Sequence, residues 1–100
     1  MATTTKVLAR TAAATSSATL YTVPSATTAV ITSIAVTNSA GTAATFNLTL
    51  DGVALHTTSA IAANTTVYID LKQVLAATKV ISGLASATTV YFHISGVEIA

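Results

Sequence analysis

Apolar and polar positions alternate with a period of two along much of this chain. The clearest run is ATFNLTLDGVALHTT at 44–58. Phe46, Leu48 and Leu50 alternate with Asn47, Thr49 and Asp51, the pattern of a strand with one buried face. Asp51-Gly52 then supplies a turn. A type I′ turn needs positive φ at both central positions, which Gly adopts freely and Asp better than most residues. With that turn Leu50 faces Val53, Leu48 faces Leu55 and Phe46 faces Thr57. The large apolar groups then share one face, and Asn47, Thr49, Ala54 and His56 share the other.

The rest of the chain reads around this hairpin. Residues 1–5 are a polar tail, 7–10 a short strand and 11–17 a linker of small residues. Together 1–17 form a loosely tied N-terminal arm. A strand at 20–23 is stopped by Pro24, which lacks the ladder donor. The run TAVITSIAVTN at 28–38 puts Val30, Thr32, Ile34 and Val36 on one face and Ile31, Ser33 and Ala35 on the other. Both faces are partly apolar, as in a central strand. Residues 38–41 turn, and Ile61 anchors a loop at 59–64. At 65–71, Val67, Ile69 and Leu71 point inward while Thr66, Tyr68 and Asp70 point out. Residues 72–78 read as one helical turn with Val74 and Leu75 packing down. A strand at 79–85 puts Val80 and Leu84 on one face. In 88–99, Val90, Phe92 and Ile94 alternate with Tyr91, His93 and Ser95, and the apolar set then moves to Val97 and Ile99. A β-bulge at Ser95-Gly96 accounts for the slip and leaves Glu98 outward. Seven or eight evenly spaced strands with no long helical pattern predict an all-β fold, an antiparallel β-sandwich or jelly roll, with 18–100 as one domain.

Composition sharpens this picture. Only 7% of residues are charged, against ~25% in an ordinary domain. Thr alone is about a fifth of the chain, so the surface is polar without being ionic and opposes self-association weakly. Lys6, Arg10, Lys72 and Lys79 are scattered, which argues against nucleic-acid binding through phosphates. The chain has no cysteine, hence neither disulfides nor thiolate metal sites. Neither a signal-peptide pattern nor an apolar run of transmembrane length is expected. Chemistry-bearing residues are few. His56 is expected on the solvated polar face of the hairpin, and His93 beside Tyr91, where an interface would make it pH-sensitive. Asp51 is a turn residue, Asp70 pairs with Lys72 on the surface, and Glu98 faces out. No catalytic, cofactor-binding or metal residue is assigned, and no enzyme is expected. Tyr21, Tyr68 and Tyr91 would suit sugar stacking if they lined one surface.

The stretches LYTVP at 20–24, TAVITSIAVTN at 28–38, IAANT at 61–65 and VYFHISGVE at 90–98 resemble short β-sandwich virion proteins of tailed bacteriophages. The likeness covers most of the chain from about Val7. Ser25-Ala26 replaces the glycine usual after the turn proline. The resemblance implies a capsid cement or decoration protein, or a neck or tail accessory protein. It implies a homo-oligomer, a trimer first, that docks on the major capsid protein or another virion protein. Assembly would take place in the host cytoplasm, with no nucleic-acid or membrane partner. From a different class, a carbohydrate-binding or adhesin module is the alternative.

Overall fold

The computed structural model, which describes residues 3–100, folds the chain in half about Asp51-Gly52. Eight strands follow in order: β1 (Thr3–Ala12), β2 (Ala18–Thr22), β3 (Thr28–Asn38), β4 (Ala44–Leu50), β5 (Val53–Ile61), β6 (Thr65–Leu75), β7 (Val80–Ala85) and β8 (Val90–Ile99). Pairs nearly equidistant from the central turn meet: Leu50 with Val53, Asn38 with Thr65, Ala18 with Gly83 and Thr3 with Ile99. This long antiparallel ribbon is rolled into two four-stranded sheets, β1-β8-β3-β6 and β2-β7-β4-β5. That order is the jelly roll, an architecture that packs two antiparallel sheets over one core. The first is called sheet A below and the second sheet B.

The core lies between the sheets. From sheet A come Ile31, Ile34, Val36, Val90, Phe92 and Ile94, and from sheet B Phe46, Leu48, Leu50, Ile61 and Ile81. Phe46 and Phe92 meet edge to face across the gap, with centroids 6.3 Å apart, a geometry that adds roughly 0.5–1.5 kcal/mol to their burial. Alternation is as expected in β4 and β6. Val67, Ile69 and Leu71 pack on the core, while Tyr68 is exposed.

The turn is also as expected: Asp51 and Gly52 have φ of 52° and 74°. Beyond it the register departs from expectation. Leu50 faces Val53, but Leu48 faces His56 and Phe46 faces Ser59, because β5 carries extra residues around Leu55 and Thr57-Thr58. Thr58 has φ of 47°. The bulges turn the His56 ring against Phe46, with centroids 5.5 Å apart; Val53, beside the turn, is 69% exposed.

Three further expectations are corrected. Residues 72–75 continue β6 instead of forming a helical turn, so Leu75 is buried while Val74 faces solvent at 66% exposure. In β7, Val80 and Leu84 share one face as expected; it is the half-buried outer face, and the inward face is Ile81, Gly83 and Ala85. The slip near Ser95-Gly96 lies on the neighbouring strands. Thr32 of β3 and Leu8 of β1 are the extra residues opposite this point, and β8 keeps its parity. Ala29 and Ile31 therefore face inward with Ile34 and Val36. Gly96 and Glu98 continue the inward set of β8, and Val97 and Ile99 lie half-buried on the other face. The Thr32 hydroxyl donates to the Ser95 carbonyl at 3.2 Å, occupying an acceptor beside the bulge. The strand expected at 7–10 is longer, running Thr3–Ala12 along the edge of sheet A.

Asn38 is the one fully buried polar residue among those described. Its amide nitrogen donates to the carbonyls of Thr42 (2.8 Å) and Ala62 (3.4 Å). Its oxygen accepts from the Ala40 N–H (3.1 Å) and the Thr89 hydroxyl (3.3 Å). One side chain thus joins the β3–β4, β5–β6 and β7–β8 loops at one end of the sandwich.

Two substitutions test this account. A Cβ on Gly96 would overlap the Val30 carbonyl oxygen, whereas one on Gly41 meets nothing within 4 Å. Gly96→Ala is expected to cost about 2–3 kcal/mol and Gly41→Ala to leave the urea midpoint unchanged. Asn38→Leu should cost about 2–4 kcal/mol, since the freed amide and carbonyls stay buried. A midpoint unmoved by either Gly96→Ala or Asn38→Leu would refute the corresponding packing.

Candidate functional site

The most organised polar cluster joins the two sheets at the end where the termini lie. Because β8 keeps its parity, Glu98 points between the sheets, contrary to the outward expectation, and its side chain is 14% exposed. Tyr21, across the gap on β2, donates its hydroxyl to the Glu98 carboxylate. Lys6 of β1 donates to Glu98 Oε1 at 3.3 Å. Hydrogen bonding from Tyr21, reinforced by Lys6, holds the Glu98 carboxyl below its usual value. Burial, followed by the Glu98 hydrogen bond and charge, pushes the Tyr21 phenol well above its usual value. Both shifts move away from neutrality. A general acid or base works best with a pKa near the operating pH, so this cluster is a fixed inter-sheet tie.

The remaining candidates stay dispersed. Asp51, at the hairpin turn, lies 3.7 Å from Lys79, both about half exposed. The pair is worth little in water. Asp70 makes no ion pair with Lys72 among the described residues; it sits on the outer face of sheet A. His56, expected on the solvated polar face, is half-buried against Phe46, with Nδ1 3.1 Å from Ser59 Oγ. A nucleophilic Ser–His couple needs a third group to orient the base. Asp51, Asp70 and Glu98 all lie elsewhere, so the contact has no such partner among the described residues. His93 is exposed on the outer face of sheet A beside Tyr91. Tyr68 and Tyr91 share that face, and Tyr21 does not. No group of three His, Asp or Glu comes together to hold a metal among the described residues. An open depression of about 260 Å³ at the hairpin tip, lined by Leu50, Val53, Ala54, Leu55 and Gln73, contains no titratable group.

The fold also sorts charge by sheet. Lys6, Arg10, Asp70, Lys72 and Glu98 all lie on strands of sheet A. The strands of sheet B contain no Asp, Glu, Lys or Arg. The outer face of sheet B is built from Thr45, Asn47 and Thr49, with Ser82 and Leu84 beside them. Compared with known proteins, this jelly roll matches no family model and no curated sequence.

The inter-sheet tie predicts a pH dependence. The lowered Glu98 value stabilises the fold fully above the ordinary carboxyl value of about 4.5, and that contribution is lost as pH falls through the lowered value. The raised Tyr21 value stabilises the fold fully below about 10 and is lost only at more alkaline pH. Glu98→Gln should therefore be less stable than the parent between pH 5 and 9, with the difference shrinking toward pH 3. Urea titrations at several pH values check this. A difference that stays constant from pH 9 down to pH 3 would show that the Glu98 charge contributes nothing.

Proposed function

We propose that this chain is a structural virion protein of a tailed phage, a capsid cement or decoration protein that binds other proteins through the outer face of sheet B. The observation that carries this reading is the absence of charged residues from every strand of that sheet. Burying such a face removes no ion from water, which is the costliest part of forming an interface. The hydroxyls of Thr45, Thr49 and Ser82 keep it wettable before docking. The resemblance to phage β-sandwich proteins supplies the setting, and the jelly roll is an architecture common in viral shells. A neck or tail accessory role uses the same face.

The edges support face-to-face docking over strand addition. Each edge strand is irregular: β1 at Leu8, β2 at Leu20, β5 at two points and β6 at 71–72. Bulges of this kind break the straight row of donors and acceptors that an incoming strand would need. Association is thus driven by buried area, and added salt should change it little.

Light scattering at micromolar concentration should find a homo-oligomer, a trimer before other numbers, and the protein should co-sediment with phage capsids. Thr49→Lys, on the outer face of sheet B, is expected to weaken capsid binding or self-association at least tenfold while the melting temperature stays within a few degrees. Ser33→Lys, on the outer face of sheet A, should do neither. A monomer that also fails to bind capsids would overturn the proposal, as would an unaffected Thr49→Lys protein.

A further inference from the structure

The outer face of sheet A differs in kind from that of sheet B. Its transverse rows follow from the pairing. Tyr68, Ala35, His93 and Arg10 form one row, and Thr66, Thr37, Tyr91 and Ala12 the next. Tyr68 and Tyr91 thus stand on strands two apart, roughly 10 Å across the sheet. Between them the central strand contributes only Ala35 and Thr37. The result is a shallow trough with a small-residue floor and an aromatic ring on either side. Tyr68 is 80% exposed and Tyr91 38%. Tyr68 presents an apolar ring face largely uncovered by the chain, and Tyr91 a ring covered in part by its neighbours, each with a hydroxyl at its tip.

The polar groups around this trough are neutral or nearly balanced. The Thr37 and Thr66 hydroxyls share a hydrogen bond of 2.9 Å between the two rings. Arg10 ends the Tyr68 row on one edge strand, and Asp70 sits on the other edge strand in the adjoining row, opposite Ser33. With Lys72 beyond Asp70 on the same edge strand, the strand charges around this face sum to about one positive charge, too weak a field to gather a polyanion. They suit a ligand that is uncharged, rich in hydroxyls and apolar on one flat side. A neutral sugar ring has that character: its C–H face packs on an aromatic ring, and its rim hydroxyls both donate and accept.

We propose that the Tyr68–Tyr91 trough on sheet A binds a neutral oligosaccharide. Tyr68 and Tyr91 stack on the sugar faces, and Thr37, His93 and Arg10 lie within the same two rows to meet its hydroxyls. The site stands independently of the assembly proposed for sheet B, because the two faces point away from each other.

The test is the full-length protein on an array of neutral and sialylated oligosaccharides, followed by tyrosine-fluorescence titration with each neutral oligosaccharide that scores. Saturable binding to a neutral oligosaccharide is expected, unchanged by moderate salt. Tyr68→Ala and Tyr91→Ala should each weaken it at least about tenfold. Tyr68→Phe, which keeps the ring, should retain most of it. Val74→Ala, exposed on the same strand but far from the trough, should leave it unchanged. Both alanine variants replace exposed rings, and unchanged melting curves confirm that the fold is intact. No signal on the array, preference for sialylated glycans, or binding that survives Tyr68→Ala would overturn the site. A change of oligomeric state in Tyr68→Ala without glycan binding would reassign the face to contact between copies of this chain.

Discussion

The parity of sheet A hangs on the contact between Gly96 and Val30. β8 lies between β1 and β3, and at this point both neighbours hold one residue more than β8 does. The extra residue of β3 brings the Val30 carbonyl against the Gly96 Cα, where no Cβ fits. Glycine on the unbulged strand is therefore as necessary as the bulges beside it. The consequence reaches across the sheet. On one side of the irregularity Ile34 and Val36 face the core, and on the other Ile31 and Ala29 do. β8 runs through without slipping, so Glu98 is carried inward to meet Tyr21 and Lys6. The inter-sheet tie exists because β8 does not bulge.

This explains which features were legible in the sequence. The hairpin tip and the inward faces of β4 and β6 follow from uninterrupted alternation and from turn residues with their own conformational preference. The change of apolar parity after Ile94 is equally visible. A change of parity, however, has two physical readings. Either the strand that shows it bulges, or it runs straight and its later apolar residues cover the outer face while a neighbour bulges. Val97 and Ile99 take the second course, half-buried outside, and the charged Glu98 takes the inward place. No residue within 88–99 separates the two readings, because the deciding contact is with Val30 on another strand. The same limit applies at β5, where Asp51-Gly52 fixes the first pair and bulges farther along shift every later one. His56 is displaced onto Phe46 for that reason.

Asn38 shows a related limit. In the sequence it opens a turn-forming cluster, and short-range turn chemistry explains it adequately. Its partners Ala62 and Thr89 are distant along the chain and become neighbours only because the rolled ribbon brings three loops to one end. A buried polar group with all its partners present ties loops together more specifically than apolar packing does. The two ends of the sandwich are thus closed differently. Asn38 supplies neutral hydrogen bonds at one end, and Tyr21, Glu98 and Lys6 supply a charged cluster at the other.

The low charge content takes on meaning only once the topology divides it. As a composition, 7% charged residues describes the whole surface. In the fold, every Asp, Glu, Lys and Arg on a strand falls on sheet A, and the strands of sheet B carry hydroxyls, an amide, aliphatic and aromatic groups and the His56 imidazole. The jelly roll makes this division possible because seven of its eight strands are followed by a connection and only the β4–β5 connection stays within one sheet. Successive segments otherwise alternate between sheets, so charge placed in every other segment accumulates on one side. Such a molecule has one face that loses little on being covered and another that keeps polar and aromatic groups available. The proposed docking through sheet B and the proposed sugar site on sheet A use these two faces without competing for them.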